Sequence, residues 1–131
     1  MKKEIVFEIP LPVYRSAVWI CANMSRTRAT EIYNELLTPV NWHDTEAGHE
    51  TCASTLVSSG SKAAVIWFPD KKPNLRHISH ECVHAAFHVL NACNIELKME
   101  NHEALAYLQE YIFEEIAKRL FGKRDLLLRL L

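Results

Sequence analysis

Residues 77–90 read HISHECVHAAFHVL, a stretch with the spacing of a helix on which polar and apolar side chains are segregated. At about 100° per residue, its four histidines and one glutamate fall within roughly one third of the helix circumference. These residues are His77, His80, Glu81, His84 and His88. The other positions are mostly apolar, which is typical of a buried helix. Because buried polar groups need partners, we expect this polar stripe to face a shared site.

His80, Glu81 and His84 form a His-Glu-x-x-His pattern within that stretch. Histidines four residues apart lie on the same side of a helix, where both imidazoles can bind one Zn²⁺ ion. The glutamate beside them is placed to take a proton from a metal-bound water. This pattern of residue types is the one used by zinc metallopeptidases.

The flanking sequence predicts a helix for this stretch and an α+β fold around it. Asn74 is a good N-cap and Asn94 suits the C-terminal exit, so the motif helix should run from Leu75 to about Cys93. Apolar and β-branched runs predict strands at residues 5–9, 13–22, 51–57 and 62–68. A helix capped by Ser25 or Thr27 should end near Leu37, and residues 41–50 read as a loop.

A second long helix should follow the motif helix, from about residue 100 or 101 to Phe121. A catalytic zinc ion takes three protein ligands and keeps one position for water. Glu103, which eighteen intervening residues separate from His84, is the best third ligand, because the chain between them can finish one helix, turn and start the next. Glu100 and His102 are fallback ligands, since helix starts are uncertain by a residue or two.

Glu103 shares one side of this second helix with a tyrosine and two further glutamates. These three residues are Tyr107, Glu110 and Glu114. One interpretation is that this face looks onto the histidine stripe and completes a buried site. The alternative is a solvent-exposed acidic face that forms salt bridges with Lys118 and Arg119.

The motif helix and the glutamate helix together resemble known zinc peptidases. His80-Glu81-x-x-His84 followed by Glu103 resembles the gluzincin clan, in which a downstream glutamate is the third ligand. HISHECVHAAFHVL with ENHEALAYLQEYI is similar to small zincin-like proteins encoded by phages and prophages, and to metallopeptidase domains that cleave phage-type repressors. The resemblance covers residues 62–116. It implies a minimal zincin fold: a small, mostly antiparallel sheet, a backing helix, a buried motif helix and a C-terminal glutamate helix.

Composition narrows the class of protein further. The chain has 131 residues, 49% of them hydrophobic, which fits a single domain. Its formal net charge of −1 does not indicate a positively charged surface for binding nucleic acid. The N-terminal apolar run is broken by charges and prolines, and no run reaches a membrane-spanning length. We therefore expect a cytoplasmic protein of the producing or phage-infected cell, without a membrane partner. The four cysteines lack metal-ligand spacing and are predicted to be free thiols.

These observations predict a zinc-dependent metallopeptidase acting on a protein or peptide substrate. His80, His84 and Glu103 would hold Zn²⁺, and Glu81 would serve as the general base. Tyr107 or His77 would stabilise the oxyanion, although Tyr107 could instead orient a ligand. Three alternatives remain: a zinc-stabilised phage-type protein that binds a host component without cleaving it, a zinc hydrolase acting on another amide or ester, and a structural domain without metal.

Overall fold

The computed structural model describes residues 3–36, 42–44 and 52–130, of which 42–44 and 123–130 are described by their backbone. In the described part, five strands form one sheet in the order β1-β2-β5-β4-β3, and three long helices accompany it. The strands are β1 (Ile5–Leu11), β2 (Ser16–Ala22), β3 (Trp42–Asp44), β4 (Ser54–Ser58) and β5 (Ala64–Phe68). The helices are α1 (Arg26–Leu36), α2 (Leu75–Ala92) and α3 (Glu103–Leu130). This architecture confirms the predicted α+β class.

The sheet is mixed but mostly antiparallel, as predicted. β1 pairs with β2, β4 with β5, and β3 with β4 in antiparallel register, whereas β2 and β5 are parallel. β5 occupies the centre, and all five of its residues are buried. Its continuous apolar sequence, AVIWF, is what a strand covered on both faces requires.

The helices form a layer on each side of the sheet. α2 and α3 pack against each other, and their apolar residues share one core cluster with the sheet residues of that face. α1 covers the opposite face, where Ala29, Ile32 and Tyr33 join a second cluster around Trp67. Trp67 is also fixed at its polar end, because its indole N–H donates to the carbonyl oxygen of Met24 at 2.8 Å.

β4 places alternate side chains on these two layers. Val57 belongs to the core cluster under α2, whereas Leu56 belongs to the cluster under α1. Thr55 lies on the α2 side, where it contacts Glu81. The strand period of two therefore brings one buried hydroxyl of the sheet to the motif helix.

Two predicted elements differ from the structure. The predicted strand at residues 13–22 begins only at Ser16, because a short 3-10 turn, Pro12–Tyr14, precedes it and Arg15 adopts a left-handed φ of 52°. Val13, at 89% exposure, therefore lies outside the sheet. The predicted loop at residues 41–50 contains β3 at its start, and its remainder falls outside the described residues.

The two functional helices begin and end close to the predicted positions. Asn74 caps α2, since its side chain accepts the backbone N–H of Arg76 at 2.8 Å, and Asn94 leaves the helix with a φ of 60°. α3 continues beyond the predicted end at Phe121, but Gly122 interrupts it with a φ of 72°. That left-handed conformation is readily available to glycine, so the helix kinks where the sequence predicted its end.

Candidate metal centre

α2 brings His80 and His84 together on one side. Their ring centroids are 4.9 Å apart with the planes at 71°, and the two Nε2 atoms are separated by 3.3 Å. One turn of helix accounts for this approach, because residues at i and i+4 are stacked along the axis. The same separation suits a hydrogen bond in which one Nε2–H donates to the other ring nitrogen.

The separation of the two nitrogens also fits shared metal binding. With Zn–N bonds of about 2.0–2.1 Å and tetrahedral angles, two imidazole ligands lie roughly 3.3–3.4 Å apart. The observed distance of 3.3 Å between the Nε2 atoms matches that value. The donor chemistry and geometry of this histidine pair thus fit two of the ligands of a zinc ion.

The pair opens towards solvent, in contrast to the predicted burial of α2. His80 is exposed and His84 is half-buried, and two apolar residues of α2 are also exposed, Val83 and, at 49%, Phe87. The expectation that α2 is buried on all its apolar sides was wrong: in the described part of the chain α2 packs mainly against α3, β4 and β5, and Val83 and Phe87 stay exposed. This exposure leaves the metal candidate site accessible from solution.

Glu81 lies in a different environment from the two histidines. The residue is 2% exposed, and its carboxylate Oε1 accepts a hydrogen bond from the hydroxyl of Thr55 on β4 at 2.8 Å. The Thr55 Oγ1 is also 3.2 Å from the main-chain oxygen of Glu81. The helix therefore turns Glu81 towards the sheet while it presents its sequence neighbour His80 to solvent.

The other two histidines of the stripe are not part of the contact between His80 and His84. His77 is exposed on the first turn of α2. His88 is half-buried, and its Nε2 lies 2.8 Å from the carbonyl oxygen of Ser61 in the β4–β5 connection. Because a carbonyl only accepts, this nitrogen of His88 carries a proton and serves as a structural donor.

Glu103 begins α3, but the structure does not bring it to the histidine pair. Its side chain is 66% exposed, with Oε1 3.8 Å from His102 Nδ1. Within the residues the structure describes, no three His, Cys, Asp or Glu side chains converge on a possible metal position. The ligand roles of Glu103, His102 and Glu100 thus remain predictions.

The acidic face of α3 does not look onto the histidines. Gln109, which reaches Ser79 of α2 at 3.3 Å, marks the side of α3 that faces α2. Tyr107 lies about 160° from Gln109 around the helix and is 66% exposed. It lines a groove of about 260 Å³ with Tyr111 and residues 10–14.

Two acidic residues of that face are likewise exposed to solvent. Glu110 is exposed, and Glu114 forms an exposed i,i+4 salt bridge of 3.2 Å with Lys118. The expectation of facing polar stripes was therefore wrong, and the solvated acidic face was the right alternative for Glu114. Sequence spacing predicted which residues share a face, but not which face meets α2.

Thr55 is the site residue that the sequence did not reveal. The sequence gives little indication of this contact, because threonine is common in strands for its β-propensity alone. The contact depends on the register of β4 beneath α2, which no local pattern specifies.

The cysteines are free thiols, and burial makes two of them unreactive near neutral pH. All four cysteines are unpaired with one another. Burial raises the pKa of the Cys82 thiol far above its ordinary value, with a further contribution from the negative charge of Glu81. Burial likewise raises the pKa of Cys21 to about 12. Neither buried thiol is poised to be a thiolate ligand near neutral pH.

No family model, curated protein or solved structure matches the chain. The resemblance to zincin-like proteins consequently rests on the motif residues. Across the described part of the chain, no helix is long and apolar enough to cross a membrane.

Proposed function

We propose that the protein is a zinc-dependent hydrolase, in the first instance a metallopeptidase that cleaves a peptide bond. The observation that carries this proposal is the 3.3 Å separation of the His80 and His84 Nε2 atoms on α2. It is supported by the solvent access of the pair and by a carboxylate, Glu81, on the adjacent residue.

In this proposal the residues of α2 have separate roles in hydrolysis. His80 and His84 would hold the metal, and Glu103, which is exposed at the start of α3, is proposed as the third ligand. Zinc would supply a bound water with a pKa lowered towards about 7 and would polarise the substrate carbonyl. Glu81 accepts the proton of the attacking water and delivers it to the leaving amine.

His77 is the remaining candidate for stabilising the oxyanion. It precedes His80 by three residues on the same side of α2 and is exposed, so its ring N–H is available to a substrate oxygen. We do not extend the proposal to Tyr107, because that side chain lies in the groove on the other side of α3.

The test of the mechanism is Glu81→Gln in zinc-loaded protein. Glutamine keeps an oxygen that can accept from Thr55 but loses the ability to take a proton, so hydrolysis should fall by at least about 100-fold while zinc is retained. Cleavage of fluorescent casein and of an internally quenched peptide library measures this effect. Glu110→Gln, a matched exchange on the exposed face of α3, should leave the rate unchanged.

Unchanged turnover in the zinc-loaded Glu81→Gln protein would contradict the mechanism. A zinc-loaded wild type that cleaves neither casein nor the library would instead favour the second function below.

A second candidate function follows from the burial of Glu81. A carboxylate that is 2% exposed and bonded to Thr55 also suits a purely structural role. The protein would then be a zinc-stabilised interaction module that binds a host component without cleaving it. Binding of a lysate protein by the zinc-loaded form, with that protein recovered intact, distinguishes this function from hydrolysis.

A further inference from the structure

Thr55 on β4 donates its hydroxyl to the side chain of Glu81 on α2. Its Oγ1 is 2.8 Å from the carboxylate Oε1 and 3.2 Å from the main-chain oxygen of the same residue. Thr55 itself is completely buried, at 0% exposure, so water does not compete for its hydroxyl. The contact thus joins β4 to the motif helix at its glutamate.

The single proton of that hydroxyl has a clear preference between the two oxygens. Charge-assisted hydrogen bonds to a carboxylate are shorter and stronger than bonds to a neutral carbonyl, and the carboxylate oxygen is also the nearer one. In a buried, weakly polar setting this bond is stronger than at the surface. Thr55 therefore fixes the orientation of the Glu81 carboxylate through Oε1.

We infer that Thr55 is a positioning residue that holds the general base in place, an inference that rests on the proposed hydrolase function. The hydroxyl of Thr55 on β4 holds the carboxylate at Oε1 and so restrains its orientation. A rigid strand is a precise support for this purpose, because the neighbouring strand β5 and the core hold it. Substrate binding and metal ligation involve other side chains.

The experiment compares Thr55→Val with Thr55→Ser in the full chain loaded with zinc. Valine keeps the shape of threonine without the hydroxyl, and serine restores the hydroxyl. Cleavage of fluorescent casein should show kcat reduced by about 10- to 100-fold in Thr55→Val, with KM and zinc content close to wild type. Thr55→Ser should recover most of the lost kcat.

A control at a half-buried threonine separates this effect from the general loss of a hydroxyl that is hydrogen-bonded to the main chain. Thr30 donates to the main-chain oxygen of Arg26 at 3.0 Å within α1, on the opposite face of the sheet. Thr30→Val should therefore leave kcat unchanged. Should Thr55→Val fail to fold, Thr55→Ala removes the same donor without adding volume.

Crystal structures of the zinc-loaded wild type and Thr55→Val provide a readout that does not depend on activity. The Glu81 carboxylate should rotate away from its wild-type position in the variant. An unmoved carboxylate, or a Thr55→Val protein with wild-type kcat, would overturn the inference. If the wild type cleaves nothing, the hydrolase proposal fails separately, and the carboxylate position alone decides whether Thr55 orients Glu81.

Discussion

At the residue scale, Glu81 shows how one helical step separates two chemical environments. His80 is in contact with solvent, whereas the side chain of Glu81 is directed into the layer between α2 and β4. A buried carboxylate must be bonded to stay compatible with the core, and Thr55 provides that bond. The hydrogen bond from Thr55 thus offsets part of the cost of burying this carboxylate and also restrains its position.

Cys21 gives the protein a predictable loss of stability in alkaline solution. Burial, followed by the negative charge of Glu4, raises the pKa of its thiol from 9.0 to about 12, while Arg28 lowers it. The folded protein therefore keeps this proton to higher pH than the unfolded chain does. The free energy of unfolding should fall as pH rises from 9.0 to about 12, and the Cys21 contribution is fully present below pH 9.0.

Urea denaturation of wild type and Cys21→Ala, each from pH 7 to 11, measures this effect. One proton accounts for a slope of at most about 1.4 kcal/mol per pH unit, so the variant should lose stability with pH less steeply by up to that amount. The comparison at pH 7 gives the packing cost of the substitution and serves as the reference. Equal slopes above pH 9 would show that Cys21 is not the source.

At the element scale, α2 was the most predictable part of the chain and also the source of the main error. Its N-cap and exit were predicted correctly from Asn74 and Asn94, because capping is local chemistry. The grouping of the histidines on one side also followed from spacing. The sequence could not show which of these residues face solvent, which face the sheet and which face a loop, because this depends on neighbours far along the chain.

The four histidines of α2 consequently have unequal roles, and His88 provides a test. Its Nε2–H donates to the Ser61 carbonyl and ties the helix to the β4–β5 connection. His88→Ala should lower the free energy of unfolding by about 1 kcal/mol, the usual net worth of such a bond, and leave zinc binding unchanged. Urea denaturation of the zinc-free protein measures the stability.

His77→Ala is the matched control on the same helix. Because His77 is exposed, its removal should change stability by less than about 0.5 kcal/mol. A His88→Ala protein with wild-type stability and no zinc binding would show that His88 is a ligand rather than a structural donor.

At the scale of the whole molecule, the class of fold was predictable, but which strands and helices lie next to each other was not. Strands β4 and β5, the α1 helix and the α2–α3 pair follow from hydrophobic periodicity, turn residues and caps. The parallel pairing of β2 with β5 and the strand β3 involve long-range contacts that periodicity does not encode. For the same reason Glu103 could be placed at the start of a helix, but not at a distance from His84.

The division of the chain into layers explains why the candidate site is formed at α2. The sheet holds Glu81 through Thr55, α3 packs along α2 through contacts such as Gln109 with Ser79, and the histidine pair lies on a side of α2 where His80 is exposed. Zinc binding here would stabilise the folded protein by mass action, because the unfolded chain does not hold the two rings together.

The most direct test of the account is the zinc content of purified protein after dialysis, measured by elemental analysis. We predict about one zinc per chain in the wild type, in His88→Ala and in Glu110→Gln, and little zinc in His80→Ala or His84→Ala. Loss of zinc in Glu103→Ala would identify the third ligand, and full retention would exclude Glu103 from that role. A wild-type protein without zinc, or a His84→Ala protein that keeps it, would contradict the central claim that the histidine pair of α2 forms a metal centre.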